Sequence, residues 1–152
     1  MLIAARFVCV VALAVWLGET VFLSFVVAPT LFRQFPVHEA GGIMSALFPA
    51  YYTVGGACGV ALIASTALLW RAGTAWKVAS AISAVMLVAV LYAGLALQPR
   101  VRELRLQRQA PTADAQVEAE FDTLHRRSVQ LNALVLAGGI ALAGVVAARL
   151  RA

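Results

Sequence analysis

The sequence predicts an all-α membrane protein: a four-transmembrane-helix bundle with a short interfacial helix between spans 1 and 2 and helical extensions between spans 3 and 4. Three observations predict it. Of 152 residues, 62% are hydrophobic and only 12% charged, with a mean hydropathy of +0.89. A soluble domain carries roughly 25% charged and about 45–50% apolar residues, and a core this small cannot bury the excess. Four apolar stretches reach the about 20 residues that a ~30 Å hydrocarbon layer requires at ~1.5 Å rise each. The polar residues, by contrast, collect between stretches one and two and between three and four, which share one end of an antiparallel bundle. Residues 1–152 are therefore read as a single membrane domain.

The first span is placed at 2–28, with Arg6 as its only early charge. Its apolar run exceeds the 7–15 residues of a leader's core and no A-x-A site ends it, so a retained helix is expected. Pro29 should close it, because proline cannot continue a helix cleanly. Residues 30–38 form a connector, and 39–47, with Gly41 and Gly42, the short interfacial helix. The second span, 50–70, opens on Phe48-Pro49-Ala50-Tyr51-Tyr52. Proline suits a first helical turn, and paired tyrosines suit the headgroup level. Gly55 and Gly59 form a GxxxG pattern, read as close helix packing within the chain. The turn at 71–74 is short enough to make the third span, 75–97, an antiparallel neighbour. After Gln98-Pro99 the chain turns polar as far as Arg127, with Arg100, Arg102, Arg105 and Arg108 ahead of Asp114, Glu118, Glu120 and Asp122. Good helix formers there predict a projecting helical hairpin broken near Pro111. The fourth span, 128–148, is rich in alanine and glycine, which predicts packing against its neighbours.

A net charge of +5 and a pI near 10 could point to nucleic acid. That class is excluded because the basic residues sit at helix ends without interleaved aromatics; such charges are ordinary at membrane flanks. Cys9 and Cys58 lie inside apolar segments and form no CxxC pair, so they read as small hydrophobes. The lipid bilayer is the implied partner, a homo-oligomer stays open, and a multi-pass place in a bacterial inner membrane is expected. Counting Lys and Arg gives five on the side of the termini and seven on the other. That count opposes cytoplasmic termini, whereas the first helix, with Arg6 at its outer end, favours them. The termini are placed in the cytoplasm.

Glu19 is the clear ionisable residue inside a span. It lies nine residues before Ala28, hence about 13 Å below that helix end and near mid-membrane. Burying charge there costs several kcal/mol, so the residue is a functional candidate by default; the alternative is a neutral acid hydrogen-bonded for packing. Asp122, His125, Ser128 and Asn132 follow one another at steps of three, three and four, which places them on one helical face. With the span beginning near Val129, Asn132 sits roughly 5 Å deep. Ser24 falls at a similar depth on antiparallel helix one, so the two could meet, and the stripe points on towards Glu19. His125 could bind metal or relay a proton, oriented by Asp122; a single interfacial histidine more often makes a structural hydrogen bond. Tyr51 and Tyr52 read as interfacial anchors, and Arg33 as a counter-charge for an anion or for Asp122. A metal site would rest on His125 and Glu19, for the chain carries no soft-ligand stripe.

Three ordered motifs carry a resemblance. Ser24-Phe25-Val26-Val27-Ala28-Pro29-Thr30-Leu31-Phe32-Arg33 resembles the first-helix motif of the transmembrane protein 205-like family, also described as domain of unknown function 4149. Ala40-Gly41 with Leu47-Phe48-Pro49-Ala50-Tyr51-Tyr52 is similar to its second, and residues 121–132 to its third, F-x-x-L-H-x-x-S-x-x-x-N. The resemblance implies a four-helix membrane protein. An animal relative is associated with resistance to platinum drugs, which implies metal handling or export. The first motif also resembles those of membrane protoporphyrinogen oxidase and copper-resistance D-type proteins, bundles with histidine ligands, but this chain has no histidine in its first span.

Three functions follow. The first is non-enzymatic handling of a metal or small solute through the polar cluster. The second is a haem- or quinone-linked oxidoreductase with His125 as ligand. The third is a scaffold whose polar stripe only fixes helix register. No catalytic triad, phosphate loop or metalloprotease motif appears, which favours a non-enzyme. The sequence requires no cofactor and leaves a metal ion or haem open.

Overall fold

A computed structural model describes residues 2–108 and 114–150. The expected break near Pro111 and the charge of Arg151 lie outside the described residues. Four long helices make up the chain: α1 (Leu2–Gln34), α2 (Val37–Leu68), α3 (Thr74–Arg108) and α4 (Ala115–Leu150). Each packs on the next and α4 returns against α1, giving a four-cornered up-and-down bundle. All four are long and apolar enough to cross a membrane, and the chain is an integral membrane protein. At 32–36 residues each helix is about 50 Å long, so it projects beyond a ~30 Å hydrocarbon layer.

Prolines shape the polar end, but not as the sequence suggests. Pro29 does not close α1. The helix instead widens into a π turn over Leu23–Val27, with the Ala28 N–H bonded to the Leu23 carbonyl, and continues to Gln34. A proline ring clashes with the carbonyl four residues back and offers it no N–H; the wider turn relieves both. Pro99 repeats the device in α3, where a π turn at Ala93–Leu97 ends with Gln98 N–H on the Ala93 carbonyl. In both helices the π turn stops two residues short of the proline. The actual end of α1 is set by Pro36, which forces Phe35 into an extended conformation (φ −123°, ψ 152°).

Residues 39–47 likewise form no separate interfacial helix. They are the opening turns of α2, which absorbs Pro49 in its interior. α4 begins at Ala115, well before the apolar span, so the predicted projection of helices three and four stands as continuous helix on both sides. Between α2 and α3 a single 3₁₀ turn, Trp70–Ala72, ends on Gly73, whose φ of 142° a side chain would rarely tolerate.

The end that carries the short α2–α3 turn is solidly packed around Ala5, Cys9, Leu69, Trp76, Ala79, Leu142 and Val146. Cys9 and Cys58 are buried free thiols. Ile3, Phe7, Val60, Val88, Leu95 and Ile140 point outward, as lipid-facing positions should. At mid-bundle, Gly55 and Gly59 do pack within the chain. A Cβ on Gly59 would stand 2.8 Å from Leu87 Cδ1 and 3.1 Å from Trp16 Cη2.

The projecting arms of α3 and α4 are joined by charge. Arg100 Nε and Nη2 donate to the two Glu120 carboxylate oxygens at 2.8 and 3.0 Å, and Nη1 to Glu103 at 2.9 Å. Arg108 pairs with Glu118 and lies over the Phe121 ring, 4.2 Å from its centroid. The Arg100 guanidinium holds the Glu120 carboxyl below its usual range.

Two outcomes follow from this architecture. Gly59→Ala overpacks the α1–α2–α3 contact and should cost about 1–3 kcal/mol in detergent unfolding, whereas Gly56→Ala, with open space around it, should change little. Because the Glu120 carboxyl is depressed in the folded arm, its contribution is present above the ordinary carboxylate pKa and lost as pH falls through the folded value. Hydrogen exchange in 98–108 and 115–122 should therefore speed up in acid beyond its intrinsic change, and in ~1 M salt at neutral pH, while the spans stay protected.

Candidate functional site

Trp16, Thr20 and Ser24 recur every four residues, so they line one face of α1. The Trp16 indole is buried against α2. Thr20 Oγ1 donates to the Trp16 carbonyl at 2.9 Å, which fixes the hydroxyl 3.4 Å from Tyr51 OH. Tyr51 OH donates to Asn132 Oδ1 at 2.6 Å, and Asn132 Nδ2 donates to Ser24 Oγ at 2.8 Å. The path leaves α1 at Ser24, crosses α4 and α2, and returns to α1 at Thr20. Ser24 and Asn132 thus meet where their depths in antiparallel helices place them.

The neighbouring Tyr52 hydroxyl accepts from Gln98 Nε2 of α3 at 3.3 Å. Its ring rests on Gly94, where a Cβ would come within 2.9 Å of Tyr52 Cγ. Tyr51 meets it edge-on at 5.2 Å and Phe48 at 5.8 Å.

These groups border a cavity of about 360 Å³ at the polar end. Leu23, Ala28, Met44, Phe48 and Val101 give it apolar walls. Ser24, Tyr51, Tyr52, Gln98, Arg105, His125, Ser128 and Asn132 supply polar groups from all four helices. Its walls are unlike the packed opposite end: donors and acceptors face an open space of ligand size.

The other sequence candidates fall outside it. Arg33 is exposed and donates to the Pro29 carbonyl of its own helix at 3.1 Å, so it forms no pair with Asp122. Asp122 is exposed and makes no hydrogen bond to His125 among the described residues; His125 stacks instead on Phe121, 5.9 Å away and within 3° of parallel. Glu19 does not line the cavity. One of its carboxyl oxygens and the Trp16 Nε1 lie 3.2 and 3.0 Å from the point where Gly55 would carry a Cβ, and both atoms are buried without a partner. Among the described residues no three His, Cys, Asp or Glu side chains gather as a metal-binding group.

Four site residues escaped the sequence reading. Trp16 and Thr20 carried a signal, the step of four that leads to Ser24. Gln98 lies just beyond a π turn that shifts the helical register. Arg105 was indistinguishable from the arginines around it.

A family model described as Domain of unknown function (DUF4149) matches residues 11–110. The chain belongs to that family. The match takes in Glu19, Ser24, Tyr51, Tyr52, Gln98 and Arg105 of this DUF4149 protein, while His125, Ser128 and Asn132 lie past its end. The description assigns no activity and does not carry the transmembrane protein 205-like label. No curated protein and no solved structure matches the chain.

The Tyr51–Asn132 bond can be weighed directly. Tyr51→Phe and Asn132→Ala, singly and together, should give a coupling of about 0.6–1.7 kcal/mol in detergent unfolding, with Asn132→Ala the costlier single change because it strands both Tyr51 and Ser24. Strict additivity would show that the ring contributes nothing.

Proposed function

We propose that this DUF4149 protein is a non-enzymatic membrane protein that binds a small organic amphiphile in the cavity at its polar end. The observation that carries this reading is the cavity itself. Its ~360 Å³ falls within the 300–1,000 Å³ of ordinary ligand sites, and its few polar groups converge inside a largely apolar wall. A scaffold whose stripe served only register would pack that space closed, as protein interiors do.

The donor set favours an organic solute over a metal. The cavity offers hydroxyls, amides and one exposed imidazole, without the cysteine, carboxylate or multiple histidine ligands that hold transition metals. A haem would need an axial ligand in an enclosed pocket, whereas His125 lies exposed against Phe121. In this reading the protein sits in a bacterial inner membrane with cytoplasmic termini. Arg6 at the outer end of the first helix supports the orientation, against the overall Lys and Arg count.

The test is photolabelling in lipid nanodiscs with a medium-chain alcohol bearing a diazirine, a neutral amphiphile. Adducts should concentrate in 41–52 and 121–132. Ser128→Trp, which fills the cavity, should cut them about tenfold, the equivalent of ~1.4 kcal/mol. Labelling spread over lipid-facing positions such as Val88 and Ile140, and indifferent to Ser128→Trp, would reject the proposal.

A further inference from the structure

Four arginines in the arm of α3 look alike in sequence but not in their surroundings. Arg100 and Arg108 are matched by Glu103, Glu120 and Glu118. Arg102 and Arg105 have no carboxylate within ion-pair distance among the described residues. Arg105 is the unusual one: its Nε and Nη1 are buried and have no hydrogen-bond partner. Its side chain lies over the opening turns of α2, where a Cβ on Gly41 or Gly42 would stand in ordinary van der Waals contact, 3.6–3.8 Å from Nη1. The residue as a whole is half-buried, yet donors shielded from water gain from a partner, and Arg105 borders the cavity. An anion in the cavity would be a complementary partner for these donors.

A second space adjoins the cavity. A groove of about 1030 Å³ runs between α2 and α3, lined by Val60, Leu87, Leu91 and Leu95 among other apolar groups. It shares Ser45, Phe48, Tyr52 and Gln98 with the cavity, so the Phe48–Tyr52 pair and the Tyr52–Gln98 hydrogen bond form the partition between them. Arg102 closes its polar end. By helical rise Arg102 stands about 8 Å past Leu97, at headgroup level. Arg102 at the polar end of the apolar groove, and Arg105 one helical turn on at the border of the adjoining cavity, set two guanidinium groups without a carboxylate partner among the described residues beside a channel that faces lipid.

We infer, building on the amphiphile reading above, that the ligand is an anionic phospholipid of the surrounding bilayer, with its phosphate on Arg105 and Arg102 and one acyl chain in the α2–α3 groove. Arginine is suited to this because its planar fork matches phosphate oxygens in pairs. Entry is lateral, from the membrane, past Tyr52.

The experiment compares phosphatidylglycerol and phosphatidylcholine carrying the same diazirine acyl chain, at equal mole fraction in nanodiscs containing the full chain. Phosphatidylglycerol should label the groove and the 41–52 segment at least about tenfold more, a ~1.4 kcal/mol preference. Arg105→Gln should abolish that preference, Arg105→Lys should keep part of it, and Arg126→Gln, an exposed arginine outside both spaces, should leave it intact. If Arg105→Gln fails to fold, Arg102→Gln, which should weaken the preference, decides instead. Equal labelling by the two lipids overturns the inference, as does a preference that survives Arg105→Gln. Loss of the preference to inorganic phosphate alone would mark a free-anion site and equally overturn the lipid assignment. The neutral alcohol separates the two proposals: labelling of the cavity by the alcohol without any headgroup preference refutes only the anionic lipid, whereas failure of both probes refutes the cavity as a ligand site.

Discussion

The Trp16 indole seated on Gly55 and Gly59 sets the separation of α1 and α2, and the polar end is built on that separation. Helices in lipid gain little from hiding apolar surface from one another, so close backbone approach and directed hydrogen bonds must hold them. With Trp16 fixed, the next inward residue of α1, Thr20, arrives at Tyr51, and the next, Ser24, at Asn132. A wider spacing would part Thr20 from Tyr51. The glycine pair matters for the site because it lets a large ring lie at mid-bundle without forcing the helices apart.

Backbone satisfaction is the second constraint. Every N–H and C=O in the hydrocarbon layer needs a partner within the protein, yet α1, α2 and α3 each carry a proline towards the same end. Two of the helices answer with π turns, and α2 carries Pro49 in its interior as continuous helix. Each π turn inserts an extra residue, which rotates everything beyond it by about 100°. That rotation is where the linear reading stops working. Periodicity in 2–22 correctly groups Trp16 and Thr20, but it cannot place Arg33, which lies past the turn and ends exposed on its own helix. Gln98, just past the second π turn, is hidden from the sequence for the same reason.

The remaining features divide along similar lines. Hydropathy over about 20 residues made the four spans legible, since that signal depends only on composition and length. The meeting of Ser24 with Asn132 was legible because antiparallel helices convert sequence position into depth. The interfacial helix was not: Gly41, Gly42 and Pro49 suggest breaks that the continuous α2 absorbs. Nor was the destination of Glu19. Its depth was readable, but whether it faced the stripe or the Trp16–Gly55 contact depended on helix rotation, which one apolar span leaves nearly free.

The contrast between the two ends of the bundle bears on what the molecule is for. Around Leu69, Trp76 and Leu142 the described side chains interlock in the buried core. At the other end, hydrogen bonds brace the walls of an opening that apolar packing would have filled at less cost. Small residues do not explain the opening, because Tyr51, Tyr52, Phe48 and Met44 are all available there to close it. They are held apart instead, Tyr51 by Asn132, and Tyr52 by Gln98 and the floor at Gly94. A stripe needed only for helix register could be satisfied with the rings collapsed inward. Large aromatic rings held off this volume, with Arg105 at its rim and no carboxylate partner for it among the described residues, are the arrangement on which the proposed ligand site rests; if that proposal holds, a bound guest should raise the stability of this end.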